Sequence, residues 1–261
     1  ETPVSLLSRL ASWNGAVDIG QFARSSQINL RLLVSGKHDQ IERLAKISGE
    51  SFDKLQNNAI VVNGNHYRLI RGEKLFIRSV PKNRARFCPQ CVEKDLERKE
   101  GSSRGAQYNI AYRFNWAISY LHSCPVHGCK IQTFNCETAD AKAIGQTPDS
   151  MNEHFSHFAP VGRDLDAYVR NSRSFPPTDF ERYLFGRLEI GKRVKCTWLD
   201  QLEFSVAATV CERLGWLSKF GPRSGFPTDE EADLRSIADI GFKIASKGPK
   251  QIQQLFEKEI S

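Results

Sequence analysis

The chain has 261 residues, 40% of them apolar, with 37 Lys and Arg against 30 Asp and Glu, for a formal net charge of +7. Length and apolar content suit two packed units. The longest apolar runs, such as Leu69–Ile70 and Ala207–Ala208, are too short to span a bilayer, so no membrane is expected as a partner. Seven cysteines, an odd number, with no visible signal peptide, argue against a disulfide framework and for reduced thiols in a cytoplasm. The chain opens without Met, which leads to the expectation that an N-terminal piece is missing.

The fold class expected is mainly α with a small β-hairpin or zinc-ribbon element: residues 1–60 as an N-terminal helical part, 61–137 as a basic hairpin and zinc-finger region, 138–177 as a connecting segment, and 178–261 as a C-terminal helical part. Thr2 and Pro3 suit a helix start, Leu6, Leu10 and Trp13 recur at helical spacing, and Gly15 suits the stop. Asp18 is placed to cap a turn holding Ile19, Phe22 and Ala23. In "IERLAKISGESFDKLQNN", Ala45, Gly49 and Leu55 stand at the spacing of a helix-turn-helix, with Ile41, Leu44, Phe52 and Leu55 as its core. The short second helix offers Lys54, Gln56 and Asn57 to a groove beside Asp53, and it suits DNA reading and protein docking equally.

Next the period changes to two, and Asn63–Gly64 between extended runs marks a hairpin. Arg68, Arg71, Lys74, Arg78, Lys82, Arg84 and Arg86 then stand against Glu73 alone. Such a run reads either as a solvated face or, with Tyr67, Phe76 and Phe87 interleaved, as a surface for phosphate and stacking contacts. Further on, "NSRSFPP" at 171–177 reads as a connection. Thr178 with Glu181 and Thr228 with Glu231 fit capping boxes. Leu199, Leu202, Val206, Val210 and Leu214 form one stripe closed by Gly215, and a last helix near Pro249 carries Ile252, Leu255 and Phe256.

The chemistry concentrates in "CPQC" and "CPVHG". Cys88 with Cys91, and Cys124 with His127, are two pairs at the spacing by which one tight turn delivers two ligands to zinc. Pro89 and Pro125 stiffen the turns and Gly128 lets the chain bend. Four protein ligands saturate a tetrahedral ion and leave no place for water, so the zinc is expected to be a staple and not a hydrolytic centre. Arg84, Arg86 and Lys130 are placed to offset the excess thiolate charge. A second site built on Cys129 and Cys136, with His154 and His157 downstream, is not expected, because Cys-x6-Cys is poor knuckle spacing. Cys196 and Cys211 read as core. No H-E-x-x-H, nucleophile elbow, P-loop or Gly-x-Gly-x-x-Gly is present, so no enzyme is expected.

The stretch "RFCPQCVEKD…YRFNWAISYLHSCPVHGCKI" resembles the TniQ family of transposon target-selection proteins: an aromatic before CPxC, an aromatic-rich segment with a Trp (Trp116), then CxxHG followed by an apolar residue (Ile131). "SLLSRLASWNG" and "LAKISGESFDKL" resemble the family's N-terminal helix and helix-turn-helix, and "ERYLFGRLE" and "IGFKIASKGPKQIQQLF" its helical C-terminal half. The resemblance implies an adaptor. Such a protein recognises the insertion site directly or docks on an RNA-guided Cascade complex, recruits an AAA+ regulator of the TnsC kind, and works as a homodimer in a bacterial cytoplasm, associated with DNA. It also implies Cys88, Cys91, Cys124 and His127 as the family's zinc ligands, while Cys136 alone stands where many members carry a second C-x2-C. The alternative class is a free-standing, sequence-specific DNA-binding transcriptional regulator using the 41–57 helix pair.

Overall fold

The structure, a computed structural model, describes residues 1–81, 84–97, 109–135, 159–225 and 233–260. The expected cap at Thr228 and Glu231, the 138–150 stretch, Cys136, His154 and His157 lie outside the described residues. The protein is mainly helical with two small antiparallel sheets.

Thr2 caps the first helix with its hydroxyl, 3.4 Å from the Ser5 amide, and Pro3 occupies the first turn, where a missing N–H is no loss. This helix, α1 (Pro3–Trp13), is followed by α2 (Ile19–Ser25), whose Asp18 cap accepts from the Gln21 amide at 2.7 Å, and by α3 (Leu30–Val34), capped by Asn29. Next come α4 (His38–Ser48) and α5 (Phe52–Asn57). Gly49 ends α4 at φ +73°, a conformation that costs glycine little, and Ser51 caps α5. Ile41, Leu44, Ala45 and Leu55 are buried with Phe52 half-buried against them, so the expected helix pair is present. With Val4, Leu7, Ile19, Ile28 and Leu33 they form a core that belongs to the first 61 residues.

Strands β1 (Val61–Asn63), β2 (Tyr67–Ile70) and β3 (Glu73–Phe76) form an antiparallel meander. The expected hairpin is present, but its loop is 64–66: Asn63 is still in β1, paired with Tyr67, and Gly64 starts the turn at φ +65°. A second hairpin was not foreseen: Ile70 pairs with Glu73 across Arg71 and Gly72, at φ +52° and +76°, the double left-handed conformation of a type I′ turn. Strand β4 (Arg84–Phe87) pairs with β5 (Gln132–Asn135), placing Phe87 opposite Gln132. Between them lie α6 (Pro89–Leu96) and a short 3-10 turn at Phe114–Ala117.

The C-terminal helices are α7 (Ala159–Arg170), α8 (Asp179–Arg187), α9 (Phe204–Phe220), α10 (Leu234–Ala245) and α11 (Pro249–Ile260). The full capping box at Thr178 and Glu181 starts α8. Three details differ from expectation. Helix α7 lies inside the segment read as a connection, with Leu165 buried and Tyr168 edge-on to Phe87, 5.2 Å between centroids. Helix α9 does not stop at Gly215 but continues to Phe220, and its buried stripe is Phe204, Ala207, Ala208, Cys211 and Leu214, while Val206 and Val210 are only half-buried. Phe256 is 43% exposed, leaving Leu255 as the buried residue of α11.

Gly215 has another purpose. A Cβ built on it would lie 1.8 Å from the carbonyl oxygen of Ile237, and one on Gly241 would lie 1.7 Å from that of Cys211. The two glycines let α9 and α10 cross with their backbones in contact. Around this crossing runs a second core that includes Ile70, Leu75, Phe87, Trp116, Ile131, Tyr183, Phe204, Phe242 and Leu255. The sheets, the cysteine knuckles and the C-terminal helices therefore share one interior.

Candidate metal centre

Cys88 is the N-cap of α6, and its sulfur accepts the Cys91 amide at 3.4 Å, so the first turn of the helix presents both thiols to one side. The second pair sits on a tight turn closed by Gly128 N–H to Cys124 carbonyl at 2.9 Å, with Gly128 at φ +57°. The ligand atoms of Cys88, Cys91, Cys124 and His127 all lie within 4.8 Å of one another. His127 Nδ1 is 3.4, 3.3 and 3.7 Å from the sulfurs of Cys88, Cys91 and Cys124, and the last two sulfurs are 3.8 Å apart.

These distances can be set against a metal. Zn–S bonds of about 2.3 Å and Zn–N bonds of about 2.0–2.1 Å give tetrahedral edges of about 3.8 Å between sulfurs and about 3.5 Å between sulfur and nitrogen. The three sulfur–nitrogen distances and the Cys91–Cys124 distance fall near those edges, and all pairs stay within 4.8 Å. The donor chemistry agrees: hydrogen bonds from Cys88 and Cys91 hold the Cys124 thiol far below its ordinary value, while hydrogen bonding to Cys124 pushes Cys88 and Cys91 up. Three neighbouring buried thiols do not all ionise on their own. A divalent cation is what lets them do so. The group therefore could hold a metal such as zinc.

The surroundings hold both knuckles rigidly. Arg86, 6% exposed, donates to the carbonyls of Trp116 at 3.2 Å, Ile118 and Leu121, tying β4 to the segment ahead of Cys124. It serves as a scaffold for carbonyls, a role not anticipated from the sequence, and Lys130 is exposed. Asp95, fully buried on the same face of α6 as Cys91, grips Arg113 bidentately at 2.8 and 2.9 Å and accepts the Ala111 amide at 3.0 Å. Glu181, also fully buried, accepts the amides of His122 and Ser123 at 2.7 and 2.9 Å on one oxygen, and the Thr178 amide and Arg235 Nε at 3.0 Å each on the other. Burial alone would raise its pKa. The donors outweigh burial and hold the carboxyl below the usual glutamate value. The 171–177 stretch lies on the second knuckle, with the Phe175 amide donating to Gly128 O at 2.7 Å.

The four residues expected as ligands lie together in one group, while Asp95, Arg113 and the loop-holding role of Glu181 were not anticipated from the sequence. Asp95 follows Cys91 by four residues on one helix face, a signal that was available. A second site on Cys129 and Cys136 is not expected from the sequence, and the contact that the structure shows for Cys129 was not anticipated: its sulfur lies 3.3 Å from that of Cys88. Cys196 and Cys211 are buried in the core, as expected.

The expected basic stripe divides. Arg68 is 8% exposed and donates to the Tyr67 carbonyl. Arg71 bonds the carbonyls of Leu188 and Glu189 and the side chain of Asn58, and its guanidinium lies 4.7 Å over Phe114. Lys74 pairs with Glu203 at 2.8 Å above the Tyr67 ring. With Arg86 these side chains hold the protein together internally. Arg78 is exposed beside Phe76. Lys82 and the side chain of Arg84 lie outside the described ones. On α5, Lys54 is exposed and paired with Glu50 at 3.0 Å, Asn57 is exposed and Gln56 is half-buried.

A helical protein carrying a buried Cys3His group between a helix pair and a C-terminal bundle is thus defined. Residues 1–131, half of the 261, match the TniQ family model, and the chain belongs to the TniQ family. The family's role is target selection in transposition, as non-catalytic adaptors. No curated protein and no solved structure matches the chain. Among the described residues no helix is long and apolar enough to cross a membrane.

Proposed function

We propose that this protein is a zinc-stapled adaptor for target-site selection in DNA transposition, linking a target-recognition complex (an RNA-guided Cascade or the DNA site itself) to an AAA+ regulator of the TnsC kind. The observation that carries this reading is the extent of the family match, which encloses the helix pair and all four ligands. The zinc is structural. Three thiolates and one imidazole fill its tetrahedron, and the knuckles are packed into the core and not onto an open cleft.

Contacts to nucleic acid or to the guide complex are assigned to Arg78, which is exposed, to Lys82 and Arg84, and to Lys54, Gln56 and Asn57 on α5. The working form is a homodimer. Capture of the tagged chain from cells carrying its native neighbouring genes tests this directly. Recovery of an AAA+ ATPase together with a guide-RNA complex or a defined DNA segment is expected. Tight, sequence-specific duplex binding by the chain alone, with no ATPase recovered, would instead establish a free-standing regulator.

A further inference from the structure

On the reading that the cluster holds zinc, we infer that Cys129 is a reserve ligand: when His127 leaves, its thiolate completes a four-sulfur site. Two independent features lead there. The first is distance. Cys129 Sγ lies 3.3 Å from Cys88 Sγ, inside the edge of about 3.8 Å that separates two sulfurs on one zinc, so it already stands at ligand-to-ligand range. It is not among the four atoms that lie mutually within 4.8 Å, so the resident set is Cys3His. Cys129 is 1% exposed, and its strand-like backbone is held by a bridge to Ser174 and by its carbonyl, which accepts the Cys124 amide at 2.8 Å.

The second feature concerns the ligand it would replace. A metal-bound histidine ordinarily donates its other ring N–H to a carboxylate, carbonyl or water, which fixes the ring and strengthens it as a donor. His127 presents Nδ1 to the sulfurs, and its Nε2 is buried with no hydrogen-bond partner. The ring is the least secured of the four ligands, while the three thiols are seated on a helix start and a closed turn. His127 sits two positions before Cys129, on the loop that turns at Gly128. Withdrawal of the ring leaves one vertex open while a fourth sulfur stands 3.3 Å from Cys88. The exchange replaces a neutral imidazole with a thiolate, releases one proton, and makes the site more negative by one charge and better suited to a soft divalent ion.

Cobalt(II) substitution reads this out, because thiolate-to-cobalt charge-transfer absorption scales with the number of sulfurs bound. Wild type is expected to bind one cobalt with a three-thiolate spectrum. His127→Ala is expected to keep one cobalt with about a third more charge-transfer intensity, four sulfurs against three. His127→Ala/Cys129→Ser should then lose that gain and bind at least the roughly 10–100-fold more weakly that loss of even an outer-shell partner costs. Cys129→Ser alone should leave the wild-type spectrum unchanged. His127→Gln, which keeps side-chain bulk, repeats the test should the alanine variant fail to fold.

Loss of cobalt in both His127 variants, or a three-sulfur spectrum in them, would overturn the reserve role while leaving the zinc reading intact. A one-third drop in Cys129→Ser alone would also overturn it, by making Cys129 a resident ligand. A wild type that binds no cobalt would remove the zinc reading itself.

Discussion

Oε1 of Glu181 accepts the backbone N–H of Ser123 at 2.9 Å, so a buried carboxylate in the first turn of α8 holds the strand that leads into Cys124. The same carboxylate caps its own helix and pairs with Arg235. Replacing it with Ala strands two loop amides and a guanidinium that is only 15% exposed. A loss of about 3–5 kcal/mol is expected. Its pH dependence follows from the depressed pKa. The unfolded glutamate takes up protons near 4.5, the folded one only at lower pH, so the contribution is complete above 4.5 and is lost as pH falls through the folded value. Wild type should therefore lose thermal stability below pH 4.5 more steeply than Glu181→Gln, and parallel melting curves between pH 3 and 6 would contradict this.

Glu212 behaves in the opposite sense. Burial pushes its carboxyl up to about 7, against the lowering influence of Arg213 and Arg78. The fold prefers the neutral acid, so Glu212 costs stability once pH rises past 4.5, where the unfolded group ionises, and the cost is full above 7. Glu212→Gln should barely change the melting temperature at pH 5 and raise it by a few degrees at pH 8, at about 2–4 °C per kcal/mol in a chain this size. An equal shift at both pH values would argue that the carboxyl is already ionised at pH 5.

The crossing of α9 and α10 makes a steric prediction. Gly215→Ala or Gly241→Ala places a methyl within 2 Å of a carbonyl oxygen, and no side-chain rotation relieves a clash with backbone. Each should cost at least the roughly 1–3 kcal/mol of ordinary overpacking. Gly225→Ala meets open space and should be neutral. Chemical denaturation of the three variants side by side is sufficient, and a neutral Gly241→Ala would mean that the helices are further apart than described.

Metal removal should act regionally. Structural zinc contributes on the order of 10 kcal/mol in finger peptides, comparable to the whole stability of about 5–15 kcal/mol of a domain. Because the knuckles share their core with the C-terminal helices, hydrogen exchange after chelation should accelerate both in residues 84–135 and in α8 to α10. Helices α1–α5, with their own core, should keep protection longer. Uniform acceleration from α1 to α11 would show one cooperative unit instead.

The proposed contact surface is open to charge reversal. Arg78→Glu/Lys82→Glu/Arg84→Glu should cut recovery of the transposition partners at least tenfold and flatten the salt dependence of any nucleic-acid binding, with metal content unchanged. Undiminished partner capture would reduce the run to a solvated face.

Local chemistry made much of this fold legible. CPQC and CPVHG mark a candidate ligand set because metal coordination demands both residue type and spacing, and the Thr178 box and the hairpin at Gly64 follow from interactions within a few residues. The arginines were opaque. Arg86 and Arg78 differ by eight positions and carry the same charge, yet one satisfies carbonyls of a loop 30 or more residues away and the other meets solvent. Gly215 was read as a stop because helix ends and close helix crossings ask for the same residue. Only the position of Ile237 tells them apart.

The second core also sets an order of events during synthesis. Helices α1–α5 contact mainly one another and can close as soon as they leave the ribosome. The sheets and knuckles cannot, because Phe76 waits for Ser205, Arg71 for Leu188 and Ser123 for Glu181. At about 5–20 residues per second that interval lasts several seconds, with Phe87, Trp116 and Ile131 uncovered. Over this interval a metal ion gathered by Cys88, Cys91 and Cys124 would reinforce the few long-range links the nascent middle of the chain can make by itself, the β4–β5 pairing and the Asp95–Arg113 pair among them, so metal supply during translation should influence how much of the protein reaches its native state and how much aggregates.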